Sequence, residues 1–343
     1  MKFNKTILIF CEASSEIGLG HLSRCMELYK EFKIFTSHKI YFFTISEETA
    51  FSNLARSRNI DSLTDFTFLD DSSDKKIIKN LSRLSIDMVL FDTYYEHCEL
   101  RRYFSTQKCH TISLDYFFDN NLSDIAINLH NHKQVSHKEG KKKPKVFSGG
   151  KYAIIRNEFE RLNQRRENFA IEKKISKCLI VMGGADPRNN TLEAISLIRK
   201  IFSKKELPYL EVVLGPLFNR ILKKEINLIL IKEFVKFKIY NSPRSLDKLF
   251  NNKDLIFCGG GTTLLESMSL GIPTAVLPQS QEEMNHSNYY ALRNCCFLVG
   301  GRSKSIKLLD QKFRLKLSRN SIKEIDFKGK KRIVDIANRI LNG

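Results

Sequence analysis

Short apolar, β-rich runs alternate with helical stretches along the whole chain, and that alternation admits few folds. In the first half the runs are TILIF (6–10), IYFFTI (40–45), MVLF (88–91), TISL (111–114) and IAINL (125–129). In the second half they are CLIVMGG (178–184), LEVVLG (210–215), FKIYN (237–241), LIFCGGG (255–261), TAVLP (274–278) and CFLVGG (296–301). Runs that are apolar on both faces suit a parallel sheet covered on both sides. Their alternation with helices implies βαβ units, hence an α/β protein. The 343 residues suffice for two buried cores. A polar stretch, 163–177, separates the halves. The expected division is a first domain over 1–165, a second over 166–328 and a C-terminal helix over 329–343. In a doubly wound half, a ligand is expected in the crevice outside the strand ends.

The first helix shows the patterning. Leu22, Cys25, Met26, Tyr29 and Phe32 fall on one helical face, with Glu27 and Glu31 off it. The eight cysteines form no C-x-x-C pair, which excludes the common zinc and redox motifs and fits a reducing, cytoplasmic setting. The first apolar run is too short for a signal peptide. No run approaches the roughly 20 apolar residues of a membrane-spanning helix. The net charge of +19 raises the question of an anionic partner. The dense run KKKPK, 141–145, reads as a loop without the interleaved aromatics of a single-strand binder. Nucleic acid is therefore not expected. Contact with an anionic membrane face stays open, and nothing indicates an oligomeric state. His130, His132 and His137 lie in a lysine-rich stretch without cysteines or a cluster of acids nearby, so no metal is expected there.

Five motifs carry candidate chemistry. In IGLGHLSRC, 17–25, Gly18 and Gly20 sit between a strand and a helix, where backbone can approach a ligand. His21 then stands near a helix N-terminus, whose dipole favours the neutral imidazole that a general base needs. A tight turn with a polar cap would explain the same text. In CGGGTTLLE, 258–266, a strand runs through Gly260 and Gly261 into a helix starting at Thr262 or Thr263. Its amides offer an anion site, and Glu266 is placed for sugar hydroxyls. Thr263-x-x-Glu266 is equally a capping box. In MGGADPRNNTLEA, 182–194, Gly183 and Gly184 permit close approach, while Asn190 with Glu193 forms a cap. Asp92 and Tyr94 in FDTYYE, 91–96, end a strand where α/β sites lie; a plain helix cap is the alternative. In 279–294, Asn285 and His286 reach toward a sugar or phosphate, or Asn285 or Ser287 caps a helix over 288–294.

Taken in order, these motifs resemble the UDP-sugar hydrolases of pseudaminic acid biosynthesis. Their broader relatives are the spore-coat polysaccharide proteins and the lipid II-forming N-acetylglucosaminyltransferase. The residues that carry the likeness are Gly18-x-Gly20-His21-x-x-Arg24-Cys25, Asp92-Thr-Tyr94, Gly183-Gly184-Ala-Asp186-Pro187, Gly259-Gly260-Gly261-Thr262-Thr263-x-x-Glu266, and the stretch KYAIIRNEF, 151–159. Two positions depart from that pattern: Met284-Asn285-His286 follows the TAVLP strand, and Asp115-Tyr116 replaces an Asp-Asp pair.

The resemblance implies a GT-B architecture, two Rossmann-like domains with parallel sheets facing across a cleft. It implies a UDP-linked 2,4-diacetamido-2,4,6-trideoxy sugar, hydrolysed at the anomeric carbon to release UDP without metal or cofactor. His21 falls on the catalytic histidine, with Asp92 and Tyr94 positioning. The nucleotide-binding glycine turn and acid fall on Gly260, Gly261, Thr262, Thr263 and Glu266; Gly18, Gly20, Arg24, Gly183, Gly184, Asp186 and Asn285 are the further candidate substrate or UDP contacts. A UDP-sugar glycosyltransferase of polysaccharide biosynthesis would use the same donor site.

Overall fold

The computed structural model describes residues 5–14, 19–46, 66–69, 73–115, 123–129, 144–165 and 170–342. These form two compact units, one from 1–154 with 328–343 and one from 155–327.

The first unit holds seven strands: β1 (Thr6–Glu12), β2 (Lys39–Ile45), β3 (Phe66–Leu69), β4 (Met88–Asp92), β5 (His110–Leu114), β6 (Ile125–Asn128) and β7 (Lys145–Ser148). They lie in the order β3-β2-β1-β4-β5-β6-β7, and every pair is parallel. Three of its helices are α1 (Gly20–Phe35), α2 (Asp74–Leu81) and α3 (Cys98–Thr106). Side chains alternate across each strand, so β1 sends Ile7, Ile9 and Cys11 into the core under α1. It sends Leu8 and Phe10 into a second core beneath α2 and α3.

The second unit has six strands: β8 (Lys177–Val181), β9 (Tyr209–Leu214), β10 (Phe237–Asn241), β11 (Leu255–Cys258), β12 (Thr274–Val276) and β13 (Phe297–Leu298). Their order is β10-β9-β8-β11-β12-β13, again wholly parallel. Its helices are α4 (Asn157–Arg165), α5 (Asn190–Ile201), α6 (Arg220–Glu233), α7 (Asp247–Phe250), α8 (Thr262–Ser269), α9 (Gln281–Leu292), α10 (Arg302–Ser305) and α11 (Gln311–Glu324). Both sheets share the doubly wound order whose direction reverses beside the first strand. The reversal falls between β1 and β4 in one unit and between β8 and β11 in the other.

The last helix, α12 (Gly329–Leu341), belongs to the first unit. Its apolar face, Ile333, Val334, Ile336, Ala337 and Leu341, joins the core under α1. Glu27 and Glu31, expected on the solvent side of α1, are buried. The physical reason is α12, which brings Lys330 Nζ to 3.9 Å from both carboxylates. Two strands went unread in the sequence. β3 is only four residues long, and β7 is a partly exposed edge strand that opens with Lys145, a residue expected in a basic loop. Residues 141–143, His130, His132 and His137 lie outside the described residues. No described helix is long and apolar enough to cross a membrane.

Candidate active site

The G-H-x-x-R-C spacing acquires a physical meaning at the sheet reversal of the first unit. α1 begins at Gly20, so His21, Arg24 and Cys25 stand at i, i+3 and i+4 of one helical face. All three turn to Asp92, the last residue of β4, whose side chain is fully buried. His21 Nδ1 lies 2.6 Å from Asp92 Oδ1. Arg24 grips the same carboxylate with both edges of its fork, Nε to Oδ2 at 2.6 Å and Nη2 to Oδ1 at 2.5 Å. Cys25 Sγ donates to Oδ2 at 3.2 Å. The third guanidinium nitrogen, Nη1, donates to Asp115. Asp115 follows β5 in a left-handed conformation (φ 45°), and its other oxygen accepts the Leu129 amide at 2.9 Å.

Burial alone would raise the proton affinity of Asp92. The Arg24 guanidinium and His21 outweigh it and hold the carboxyl down at about 2. Asp92 is therefore a carboxylate, and His21 Nδ1 carries its proton toward it. Arg24 Nη2, 3.1 Å from that nitrogen, is a second donor and bonds Oδ1 rather than the ring. The tautomer leaves Nε2 with a free lone pair, the arrangement a general base requires. Arg24, expected against the substrate or UDP, turns all three of its guanidinium nitrogens to Asp92 and Asp115. Gly18 lies outside the described residues.

The loop after β4 is held as tightly. Glu12 Oε2, at the end of β1, accepts the amides of Tyr94 at 2.7 Å and Tyr95 at 3.0 Å. Glu12 Oε1 bonds His97 Nε2 at 2.7 Å, and Asp74 Oδ1 bonds His97 Nδ1 at 2.6 Å. The other Asp74 oxygen caps α3 through the amides of Glu99 and Leu100. The Tyr94 side chain is half exposed, its ring edge-on to Tyr95. Burial would lower the affinity of His97 for its proton, but bonds to Glu12 and Asp74 outweigh it and raise it above the ordinary imidazole range. A raised value in the folded state stabilises the fold fully below the unfolded value of roughly 6.5, and that stabilisation is lost as pH rises through the folded value. The denaturation midpoint of His97→Gln is therefore expected well below wild type at pH 6, with the gap narrowing as pH rises. A gap independent of pH would leave His97 uncharged.

In the second unit, the turn after β8 contains Gly183 in a left-handed conformation (φ 93°). This turn packs on the end of β9: Gly184 O accepts the Leu217 amide at 2.9 Å, and a Cβ on Gly215 would lie 2.3 Å from the same oxygen. Asp186, expected against substrate, accepts the amides of Asn190 and Thr191, each at 2.8 Å, and so caps α5. The cap expected from Asn190 and Glu193 does not form. Asn190 Nδ2 donates instead to Leu277 O at 2.8 Å.

The turn after β11 leads into α8, with Gly261 as its N-cap residue. The capping box on Thr263 is consequently absent. The Glu266 carboxylate is buried and paired with the Arg156 guanidinium, with Nη2 to Oε2 at 2.7 Å. α9 begins at Gln281, seven residues before the expected helix, because Ser280 Oγ accepts the Glu283 amide at 3.2 Å. Neither Asn285 nor Ser287 is therefore a cap: Asn285 is exposed, and His286 is buried. α9 approaches the glycines closely. A Cβ on Gly260 would lie 2.6 Å from Glu283 O and 2.5 Å from Ser287 Oγ. Glu283 Oε2 accepts the amides of Gly260 and Gln279, both at 2.8 Å. The amides of Gly261, Thr262 and Thr263 are those of the first turn of α8, which a helix leaves without intrahelical acceptors.

Gly260→Ala is expected to lower stability by about 1–3 kcal/mol, since the clash involves backbone. A melting curve of the variant indistinguishable from wild type would show that α9 can retreat. Arg156, Glu283, Asp115 and His97 are the residues that motif reading did not single out for roles.

No protein-family model matches the chain. The chain is 29% identical over 289 residues to the uncharacterized protein MJ1062 of Methanocaldococcus jannaschii, covering 80% of this chain and 56% of that protein. The chain thus spans little more than half the length of that relative. It is 21% identical over 301 residues to the spore coat polysaccharide biosynthesis protein SpsG of Bacillus subtilis, covering 85% of this chain and 83% of the relative. Among solved structures, Acinetobacter baumannii MurG matches with a TM-score of 0.65 at 10% identity, over 98% of this chain and 99% of MurG. UDP-GlcNAc 2-epimerase from Neisseria meningitidis, bound to UDP-GlcNAc, matches with a TM-score of 0.61 at 15% identity, over 97% of this chain and 100% of the epimerase. Two doubly wound parallel sheets, matched over nearly the full chain by these structures, give this protein a GT-B-like fold.

Proposed function

We infer that the chain is a nucleotide-sugar hydrolase: it cleaves a UDP-linked 2,4-diacetamido-2,4,6-trideoxy sugar at its anomeric carbon and releases UDP, in the synthesis of a nonulosonic acid or related surface glycan. The observation that carries this reading is the His21–Asp92 pair at 2.6 Å, with Arg24 locking the carboxylate. In the proposed reaction, water attacks C1 and His21 Nε2 accepts its proton. The C–O bond to the diphosphate breaks, and UDP leaves with both electrons. Asp92 stabilises the imidazolium that forms, as an ionised partner of Nδ1–H does in other His–Asp pairs.

UDP binding is assigned to the second unit. Its diphosphate takes the amides of Gly261, Thr262 and Thr263 at the N-terminus of α8, where fixed dipoles stabilise the leaving charge. The UDP-GlcNAc held by the Neisseria epimerase supports a UDP-sugar ligand for this fold, and the SpsG likeness supports polysaccharide biosynthesis. Glu266, fixed by Arg156, is assigned to the ribose hydroxyls, and Tyr94 to the sugar.

The deciding assay mixes the protein with candidate UDP-sugars, without acceptor, and follows UDP. Release without acceptor is the expected result. Release only when a sugar or lipid acceptor is added would overturn the hydrolase and make His21 the base of a glycosyltransferase.

A further inference from the structure

α6 carries an apolar stripe on its outer face as well as its inner one. Leu222, Ile226 and Leu230 are buried against the sheet. On the outer face Ile221 is 79% exposed, Leu228 67% and Ile231 62%, and Val235, just past the helix, is 91% exposed. Ile221, Lys224, Leu228 and Ile231 recur by three and four residues, so they form one line along the helix, with Val235 just beyond its end. Arg220, Lys224, Lys232 and Lys236 are all exposed along it. Lys236 and the exposed Lys238 extend the positive charge onto β10, the edge strand of the sheet. Two acids of α6 lie near: Glu225 is exposed, and Glu233 is bound to Arg199 at 2.6 Å.

We propose that this face of α6 docks the protein on an anionic lipid bilayer. The aliphatic stripe enters the headgroup region while the lysines spread their stems beside it and keep their ammonium groups among lipid phosphates. Composition separates this occupant from others. The line has no aromatic residue, whereas protein interfaces are enriched in aromatics and depleted of lysine. A second copy of the chain would set lysine against lysine along the stripe, which costs energy. A bilayer needs no shape complementarity and rewards positive charge, about the balance seen here. The stripe lies outside the residues assigned to UDP and to His21, so the inference stands apart from the reaction assigned to the protein.

The test is co-sedimentation of the full chain with vesicles. One set is phosphatidylcholine alone, and the other contains about one-third phosphatidylglycerol. Binding is expected to the anionic vesicles only, and to fall as salt rises. The triple variant Ile221→Ser, Leu228→Ser, Ile231→Ser alters exposed side chains and leaves the buried face intact. It is expected to bind at least roughly tenfold more weakly, with an unchanged circular dichroism spectrum and unchanged UDP affinity. Three results would overturn the proposal: no binding by wild type, equal binding by wild type and variant, or a concentration-dependent dimer that the same substitutions abolish.

Discussion

His21→Ala is expected to leave UDP binding intact and to lower UDP release roughly a thousandfold, within the range that a lost general base costs. The side chain is 18% exposed, and its removal leaves Asp92 still bonded to Arg24 and Cys25. The fold is therefore expected to persist, and a melting curve checks it. UDP contacts are assigned to α8 and the glycine turn before it, which contain no atom of His21. A turnover assay with the UDP-sugar, run beside a UDP-binding titration, separates the two effects. Loss of turnover with retained UDP affinity is the signature of a base. A loss below tenfold would remove His21 from the chemistry. Added imidazole restoring part of the rate would strengthen the assignment, since the cavity left by the ring is open to solvent on one side.

The fold was legible where the pattern was strong. Every apolar run read as a strand contains one, because a buried parallel strand needs continuous apolar text and little else does. β3 (FTFL) and β7 (KVFS) escaped because each is a four-residue edge strand whose apolar text is broken by a polar residue or bounded by one at both ends. The glycine motifs were legible as turns but not in their causes. Three glycines at 259–261 suggested room for a ligand; part of that room is filled by α9, with Glu283 bonded to the Gly260 amide. No local signal could show this, since Glu283 meets Gly260 only through the path of the chain after β12. The same holds for Glu266. Its sequence neighbour Thr263 predicted a capping box, while its actual partner, Arg156, stands 110 residues away.

The His21 motif was legible as one helical face and not in what that face meets. Its spacing announced a helix face, yet the two carboxylates that the face meets lie at the ends of β4 and β5. Asp115 stood out in the sequence only as a departure from a pattern. In the structure it is the second anchor of Arg24 and sits in a left-handed turn that aims it there. A buried guanidinium between two carboxylates balances charge only as a set: one cation faces two anions, and the imidazole supplies further positive charge when it takes a proton.

Arg24→Met tests that set, first through stability. Methionine fills much of the volume but leaves Asp92 and Asp115 as buried carboxylates without a counter-charge, a loss of about 3–5 kcal/mol. Lysine is expected to rescue little, because one ammonium cannot reproduce a fork that bonds both oxygens of Asp92 and one of Asp115. The pH dependence gives a second readout. In wild type, Asp92 is held at about 2, below its ordinary value of 3.8. The stability it contributes is complete above the ordinary value and is lost as pH falls through the folded one. Without Arg24, the burial that Arg24 now outweighs drives the proton affinity of Asp92 upward. A protonated Asp92 no longer holds His21 Nδ1–H as an ionic partner, so the tautomer that frees Nε2 loses its lock. Urea unfolding of Arg24→Met against wild type, together with pH profiles of UDP release, measures both consequences. The acid limb of activity is expected to move to higher pH in the variant. An unmoved acid limb with reduced stability would confine Arg24 to holding the fold, and unchanged stability would mean that the two carboxylates find other partners.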